Sequence, residues 1–253
     1  MLYELWQLFL LHPLDLTAAT VLFASWLVAG WAIESPPAGR QSVSVLMKRY
    51  RREWMAQFLQ REPRIFDGNI LSSLRDGTAF FASACMIATG GLLALVRNSE
   101  QLRGLAKGFE FQGSGGILVE VKLLVTMFFV VNAFLKFVWA HRLFGYCAIM
   151  MGAVPTDPGH PHAYERAMQA ADLNITAARS FNAGLRSVYF ALGSLGWLVG
   201  PWTLLIGVVL VLYVNWRREF NSTSRQVILR SLPVTDDDGH TARPASESPP
   251  PLP

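Results

Sequence analysis

Seven polar side chains between positions 132 and 186 could together bind an anionic group. Asn132 and Lys136 are four residues apart, as are Asn182 and Arg186, so each pair shares one face if its segment is helical. Cationic and amide donors of this kind suit a lipid headgroup, a phosphate or a carboxylate. We therefore predict an anion-binding cluster that consists of Asn132, Lys136, His141, Arg142, Arg179, Asn182 and Arg186.

A purely structural role for the same side chains is the alternative. Lys136 lies near the end of an apolar segment, where its ammonium group can extend to the membrane surface. An asparagine inside such a segment, like Asn132, more often bonds a neighbouring helix than a ligand. The arginines could instead form ion pairs with carboxylates elsewhere in the chain, namely Asp67, Asp76, Glu165 or Asp172.

Support for catalysis is weak. Asp157, His160 and His162 are potential metal ligands, but they lie in a proline-rich loop and lack a partner pattern such as His-Glu-x-x-His. Glu120 is the candidate carboxylate inside an apolar segment, and it lies near an end of that segment. No nucleophile motif, Walker motif or dinucleotide fingerprint occurs. We predict no catalytic residue, no metal site and no cofactor, and we expect that the protein is not an enzyme.

The elements that must position the cluster are membrane spans. Hydrophobic residues make up 52% of the chain and charged residues 16%, whereas charged residues make up about 25% of typical soluble domains. Runs approaching the length that crosses a bilayer predict an all-α, polytopic helical membrane protein with cytoplasmic amphipathic helices. The predicted spans are 16–33, 78–96, 117–139, 187–199 and 201–214. A four-span alternative replaces the last two with one helix kinked at Gly200-Pro201.

The Lys and Arg residues predict how the chain is threaded. No Lys or Arg precedes position 40, and eight of the 22 lie in the connector 39–77. Loops dense in these residues stay cytoplasmic, so the N-terminus is expected outside. A hairpin at Gly200-Pro201 returns the arginines after position 216 to the cytoplasm. Because the basic residues cluster beside spans, we predict anionic lipid of the inner leaflet, and not nucleic acid, as the partner of this +4 chain.

The basic connector contains a predicted amphipathic helix. Apolar and aromatic residues recur there at spacings of three and four, which is typical of one helical face. Its predicted lipid-surface residues are Lys48, Arg49, Arg51, Arg52 and Trp54. The alternative is that this helix packs on the protein's own loops.

We predict one integral membrane domain, 1–231, followed by a disordered cytoplasmic tail, 232–253. The tail is rich in Pro, Ser and Asp and carries too little apolar surface to fold. Ala82, Gly90 and Gly91 are small residues of the second span, where close helix packing could produce a homo-oligomer. Cys85 and Cys147 lie in apolar runs and are expected to be buried as small hydrophobes.

Several short motifs resemble an uncharacterised membrane-protein family, domain of unknown function 599. They are Arg52-Glu53-Trp54-Met55, Arg64-Ile65 with Asp67, Phe80-Phe81-Ala82-Ser83, Lys136-Phe137 with Trp139, and Arg179-Ser180-Phe181-Asn182 with Gly184-Leu185-Arg186. The resemblance covers roughly 14–220. It implies a bacterial multi-pass inner-membrane protein and implies no activity.

Three function classes are compatible with these patterns. The first is a membrane protein that binds lipid or a protein partner and acts as a scaffold, which we favour. The second is a small transporter or channel for an anionic solute, with Asn132, Lys136, Asn182 and Arg186 along a polar path. The third, an enzyme acting on a lipid, lacks a base or nucleophile in a span.

Overall fold

The computed structural model describes residues 13–36, 40–98 and 119–230, and within these ranges it contains helices and no strand. The α-helices are α1 (Pro13–Glu34), α2 (Val43–Phe58), α3 (Ile65–Arg97), α4 (Val119–Gly152), α5 (Ala163–Ser194), α6 (Pro201–Phe220) and α7 (Thr223–Arg230), with a 3₁₀ turn (Leu195–Leu198) after α5. The prediction of an all-α fold is confirmed. The predicted tail 232–253 lies outside the described residues.

Three of the described helices, α1, α3 and α4, are long and apolar enough to cross a membrane. At 1.5 Å per residue they measure about 33, 50 and 51 Å, against a hydrocarbon core of roughly 30 Å. Helices α5 and α6 are not among them, since α5 carries charged residues up to Arg186 and α6 ends in Arg217 and Arg218. The number of crossings, four or five, therefore stays a prediction.

Large apolar side chains cover much of the outside of the helix bundle. Ile87, Trp31 and Ile206 are 77%, 70% and 68% exposed. Soluble monomers rarely expose apolar patches on this scale. Together with the three long apolar helices, this surface indicates a membrane protein.

The buried residues form two separate cores. The first core joins α1, α3, α4, α5 and α6 and contains stacked phenylalanines, with Phe129 5.3 Å from Phe23 and 6.1 Å from Phe190 between ring centroids. The second core joins α2, the start of α3, the end of α4 and the start of α5. Helices α3, α4 and α5 pass through both cores, so each is one continuous element from end to end.

The second core depends on alanines of α5. They are Ala163, Ala167, Ala170, Ala171 and Ala177, and all are fully buried. Their spacings of three, four and seven residues place them along one face of the helix. Small side chains allow close approach, which explains why α5 lies against the end of α4 over several turns.

The chain reverses direction between α5 and α6. Helix α6 begins at Pro201, where the missing N–H and fixed φ of proline are tolerated. The carbonyl oxygen of Gly193 lies 2.7 Å from the point where a Cβ on Gly207 would stand. The two backbones therefore touch, and the break predicted at Gly200-Pro201 is a fold-back.

Candidate functional site

Four helices meet around a polar cavity of about 280 Å³, which we call the four-helix cavity. It lies between the end of α1, the first half of α2, the middle of α5 and the end of α6. Its described charged lining residues are four cations and two carboxylates: Lys48, Arg51, Arg179, Arg186, Glu34 and Glu219. These leave an excess of two positive charges at the cavity. Three of the predicted cluster residues, Arg179, Asn182 and Arg186, line it together.

Arg186 is the most deeply buried cation of the cavity. Only 7% of the residue is exposed, and its Nη2 donates to Glu34 Oε1 at 2.6 Å. The other carboxylate oxygen of Glu34 lies 3.9 Å from Arg179 Nε. One carboxylate at the end of α1 thus faces two arginines that stand seven residues, about two turns, apart on α5. A buried charge requires such a partner.

Asn182 belongs to a hydrogen-bonded chain that links three helices. Its Nδ2 donates to Ser44 Oγ at 3.2 Å. Ser44 in turn donates to Glu219 of α6, from Oγ at 2.9 Å and from its backbone N–H at 3.1 Å. Ser44 lies in the first turn of α2, where backbone N–H groups favour a carboxylate. The chain therefore fixes the start of α2 against α5 and α6.

Arg51 and Lys48 complete the basic wall of the cavity on α2. The Arg51 guanidinium donates to Asn174 Oδ1 of α5. Burial lowers the pKa of Arg51 from its ordinary value, and the nearby Cys147 opposes this effect. The ammonium group of Lys48 forms no hydrogen bond or ion pair with any residue the structure describes. Lys48 is thus the cation most available to an incoming anion.

The other four predicted cluster residues do not line the four-helix cavity. Asn132 donates to Ser187 Oγ at 2.7 Å across the α4–α5 contact. The His141 ring lies 3.1 Å from Thr78 Oγ1, and Arg142 Nε donates to the Tyr146 hydroxyl at 2.6 Å. Lys136 is exposed on the outside of α4. The predicted cluster is thus divided between the cavity on α5 and separate contacts along α4.

The predicted lipid-surface residues of α2 point in different directions. Arg49 and Arg52 are exposed, and Arg52 forms a 2.9 Å ion pair with Asp172. Trp54 Nε1 donates to the buried Asp67 at 2.6 Å, so protein groups engage the polar ends of both Trp54 and Arg51. Helix α2 also buries Leu46, Met55 and Phe58. One face of α2 therefore packs on the protein, and only its basic side is open.

Sequence reasoning missed Glu34, Ser44 and Glu219. Three of the four carboxylates that it proposed as partners do form pairs, but with other residues: Asp67 with Arg61, Asp172 with Arg52, and Glu165 with His162. The fourth, Asp76, forms no ion pair with the described residues. A usable signal existed in the topology. Glu34 and Glu219 each follow an apolar segment at the predicted inner end, the same membrane depth as Arg179 and Arg186.

Among residues 13–36, 40–98 and 119–230, no group of three or more His, Cys, Asp or Glu side chains could hold a metal ion. In the loop before α5, Asp157 accepts from the Gly159 N–H at 2.9 Å and His160 Nδ1 from the His162 N–H at 3.2 Å. These potential ligands are thus used in local turns.

Comparison with known proteins gives one family. The family model described as "Protein of unknown function, DUF599" matches residues 17–224. No curated protein and no solved structure matches the chain.

Proposed function

Since this chain belongs to the DUF599 family of proteins of unknown function, we propose its function from its own geometry. It is a membrane protein that binds the anionic headgroup of a lipid at the four-helix cavity. The four helices around this cavity pack together around the bound headgroup. The observation that carries the proposal is the excess of two positive charges on the described lining of this cavity.

We further propose that the protein resides in a bacterial inner membrane with five crossings and its N-terminus outside. The distribution of Lys and Arg supports this orientation, with none before Arg40 and eight between positions 39 and 77. In this orientation the end of α1 and the start of α2 lie at the inner membrane surface. The cavity then stands at the depth of lipid phosphates, where anionic lipids are abundant.

Two of the four cations of the cavity are available to bind an anionic headgroup. Lys48 is free to bind. The Nε atom of Arg179 lies 3.9 Å from Glu34, a contact loose enough for the guanidinium to turn toward a ligand. Arg186 is committed to Glu34 at 2.6 Å. Lys48 and Arg179 are therefore the proposed binding residues, and Arg186 keeps α5 in position.

Lipid-dependent thermal stability tests the proposal. Purified protein in a neutral detergent is titrated with phosphatidylglycerol or with phosphatidylcholine, and the unfolding midpoint is measured. A ligand that binds only the folded state raises the midpoint. We expect phosphatidylglycerol to stabilise the protein, and the double variant Lys48→Gln, Arg179→Gln to lose most of that increase.

The double variant Arg217→Gln, Arg230→Gln is the matched control. It removes the same charge from exposed positions on the same predicted membrane side, outside the cavity. Equal loss of stabilisation in both double variants would mean that stabilisation by lipid depends only on the overall charge of the protein. The cavity would then not be the binding site.

Transport of an anionic solute is the second candidate. In its favour, polar pairs follow the α4–α5 contact: Thr126 Oγ1 lies 2.8 Å from Ser194 Oγ, and Asn132 donates to Ser187 beside Arg186. Uptake of inorganic phosphate or chloride into proteoliposomes tests it. Uptake that Asn132→Ala abolishes, with normal protein abundance and assembly, would favour transport over binding.

Assembly into a homo-oligomer is a further part of the proposal. Gly90 and Gly91 are exposed on α3, and a Cβ at either would meet nothing within 4 Å. Ala82 packs against the first core and is less accessible. The mass of the detergent-solubilised protein tests this, and a monomer at all concentrations would contradict it.

A further inference from the structure

A second cavity, separate from the four-helix cavity, lies between the start of α3, the end of α4 and the segment after α4. Its volume is about 420 Å³. The cavity exists because small residues face each other: Gly68 and Ser72 on α3, and Ala148 and Gly152 on α4, each pair four residues apart. A Cβ added to Gly68 or to Gly152 would meet nothing within 4 Å. We call it the Arg64–Arg75 cavity after its two cations.

The two arginines of this cavity differ in how they are held. Arg64 donates to the carbonyl oxygens of Val154 at 3.1 Å and Pro155 at 3.0 Å, and its guanidinium lies 4.5 Å from the centroid of the Phe58 ring. Arg75 has no such support. Its Nε is buried and makes no hydrogen bond, and nothing in the described chain pairs with its guanidinium.

A half-buried guanidinium without a partner is costly, because each unsatisfied buried donor loses its hydration without compensation. None of the described residues lining the cavity is an Asp or a Glu. The described lining residues therefore do not neutralise Arg75, in contrast to Glu34, which pairs with Arg186. An anion from outside the chain would supply the missing acceptor.

The remaining described wall of the cavity is mostly apolar, apart from Ser72 and Thr156, and this restricts the kind of anion. Leu71, Met151 and Val154 are buried side chains of the second core that also line it. Arg75 stands five residues before Phe80 of α3, an apolar side chain that is 69% exposed. A ligand can thus place a phosphate at Arg75 and a hydrocarbon chain against the adjoining apolar surface.

We propose that the Arg64–Arg75 cavity binds an amphiphile with a phosphate group and an alkyl or acyl chain, as a phospholipid has. The phosphate accepts hydrogen bonds from Arg75, with Arg64 as the second cation, and the chain lies against the exposed apolar surface of α3 beyond Arg75. The proposal rests on the membrane location proposed above. It does not depend on the four-helix cavity.

Binding of dodecyl phosphate tests this proposal. The purified protein in a neutral detergent is titrated with dodecyl phosphate or with inorganic phosphate, and bound molecules are counted by native mass spectrometry. We expect dodecyl phosphate to bind and inorganic phosphate to bind at least about tenfold more weakly, because it lacks the chain. Equal binding of inorganic phosphate would overturn the proposal in favour of a soluble anion.

Two variants locate the site. Arg75→Gln removes the free guanidinium without breaking any bond within the described chain, and we expect it to weaken dodecyl phosphate binding about tenfold. Gly68→Leu places a side chain in the cavity and should weaken binding similarly while Arg75 is kept. Gly77→Leu is the matched control, since Gly77 also has open space on α3 but does not line the cavity.

Unchanged binding in both Arg75→Gln and Gly68→Leu would overturn the proposal. The two proposals fail separately: loss of binding in Lys48→Gln, Arg179→Gln but not in Arg75→Gln would place the dodecyl phosphate in the four-helix cavity. Loss in Arg75→Gln alone would leave the Arg64–Arg75 cavity as the site of this amphiphile even if the four-helix cavity binds no lipid.

Discussion

Arg186 is both a buried, ion-paired residue and part of the proposed binding cavity. It is 7% exposed and depends on Glu34 across the α1–α5 contact. Removing one partner of a buried pair leaves the other charge uncompensated, which costs more than replacing both by apolar residues. Stability and binding at this cavity therefore have to be measured with different variants.

Glu34→Ala is expected to lower the free energy of unfolding by about 3 kcal/mol, because Arg186 is left buried and unpaired. The double variant Glu34→Leu, Arg186→Met should recover part of that loss, since it removes both charges. Chemical unfolding in detergent measures the two changes. Glu165→Ala, at an exposed position, is the control, and an equally stable Glu34→Ala protein would contradict the expected cost.

Trp197→Phe tests a second buried polar contact, at the opposite end of α1. Trp197 is 1% exposed and its Nε1 donates to the buried Asp15 at 2.6 Å. The variant keeps most of the ring volume but leaves the carboxylate without its donor. We expect a loss of about 2 kcal/mol in the same unfolding measurement.

Trp202→Phe provides the comparison, because Trp202 is 67% exposed. Exposed substitutions usually change stability by less than about 0.5 kcal/mol. Similar losses in both variants would show that the indole rings, and not the Asp15 bond, determine stability.

At the scale of single residues, the sequence predicted that the cluster residues of α5 share a face, and it missed the residues that contact them. Helical spacing alone places Arg179, Asn182 and Arg186 on one face. Glu34 could not be assigned to Arg186 in the same way, since the pair spans 152 residues and depends on how α1 packs against α5. For the same reason Arg75 was unremarkable in the sequence. Its lack of a partner is a property of the folded cavity.

Among the elements, the α5–α6 hairpin contains a close backbone contact between two helices. A Cβ on Gly207 would stand 2.7 Å from the Gly193 carbonyl oxygen, a distance that requires the helices to move apart. Glycine is otherwise unfavourable in a helix interior, by about 1 kcal/mol relative to alanine. Its presence at both positions is explained by the close approach.

Gly207→Ala is therefore expected to lower the free energy of unfolding by about 1 to 3 kcal/mol, the usual cost of overpacking. Gly90→Ala should have the opposite sign, because the added methyl group meets nothing within 4 Å and alanine favours the helix. Parallel unfolding curves of the two variants check the signs. A Gly207→Ala protein at least as stable as the wild type would contradict the close contact.

Apolar runs and helix breakers predicted where the elements occur better than how long they are. The Gly200-Pro201 break is correctly located because proline begins a helix and cannot continue one. By contrast, the predicted span 187–199 is not an element of its own: its first part belongs to α5, which runs from Ala163 to Ser194. No proline interrupts 163–194, so nothing local ends the helix where the hydropathy changes.

For the whole molecule, single cysteines can report which loops face outward. Cys85 and Cys147 are replaced by alanine, and one cysteine is introduced at Gly115, Gly159 or Ser222. With five crossings, a membrane-impermeant thiol reagent added from outside should label only Gly115→Cys, because the other two positions lie on the inner side. Labelling after membrane disruption is the control for reactivity.

Labelling of both Gly115→Cys and Ser222→Cys from outside would instead mean four crossings. The predicted positive-inside orientation would then fail for the four arginines between positions 217 and 230. The two helices of the α5–α6 hairpin would then not both cross the bilayer. The four-helix cavity would no longer lie at the inner surface.

The length of α4 determines how far its end extends beyond the membrane. About 51 Å of helix against a hydrocarbon core of roughly 30 Å leaves about 20 Å beyond it, and the second core braces this extension with α2, α3 and α5. In the proposed orientation the end of α4 thus forms a rigid helical extension into the cytoplasm. The loop between α4 and α5 is its tip, so anything attached there is held at a fixed distance above the lipid headgroups.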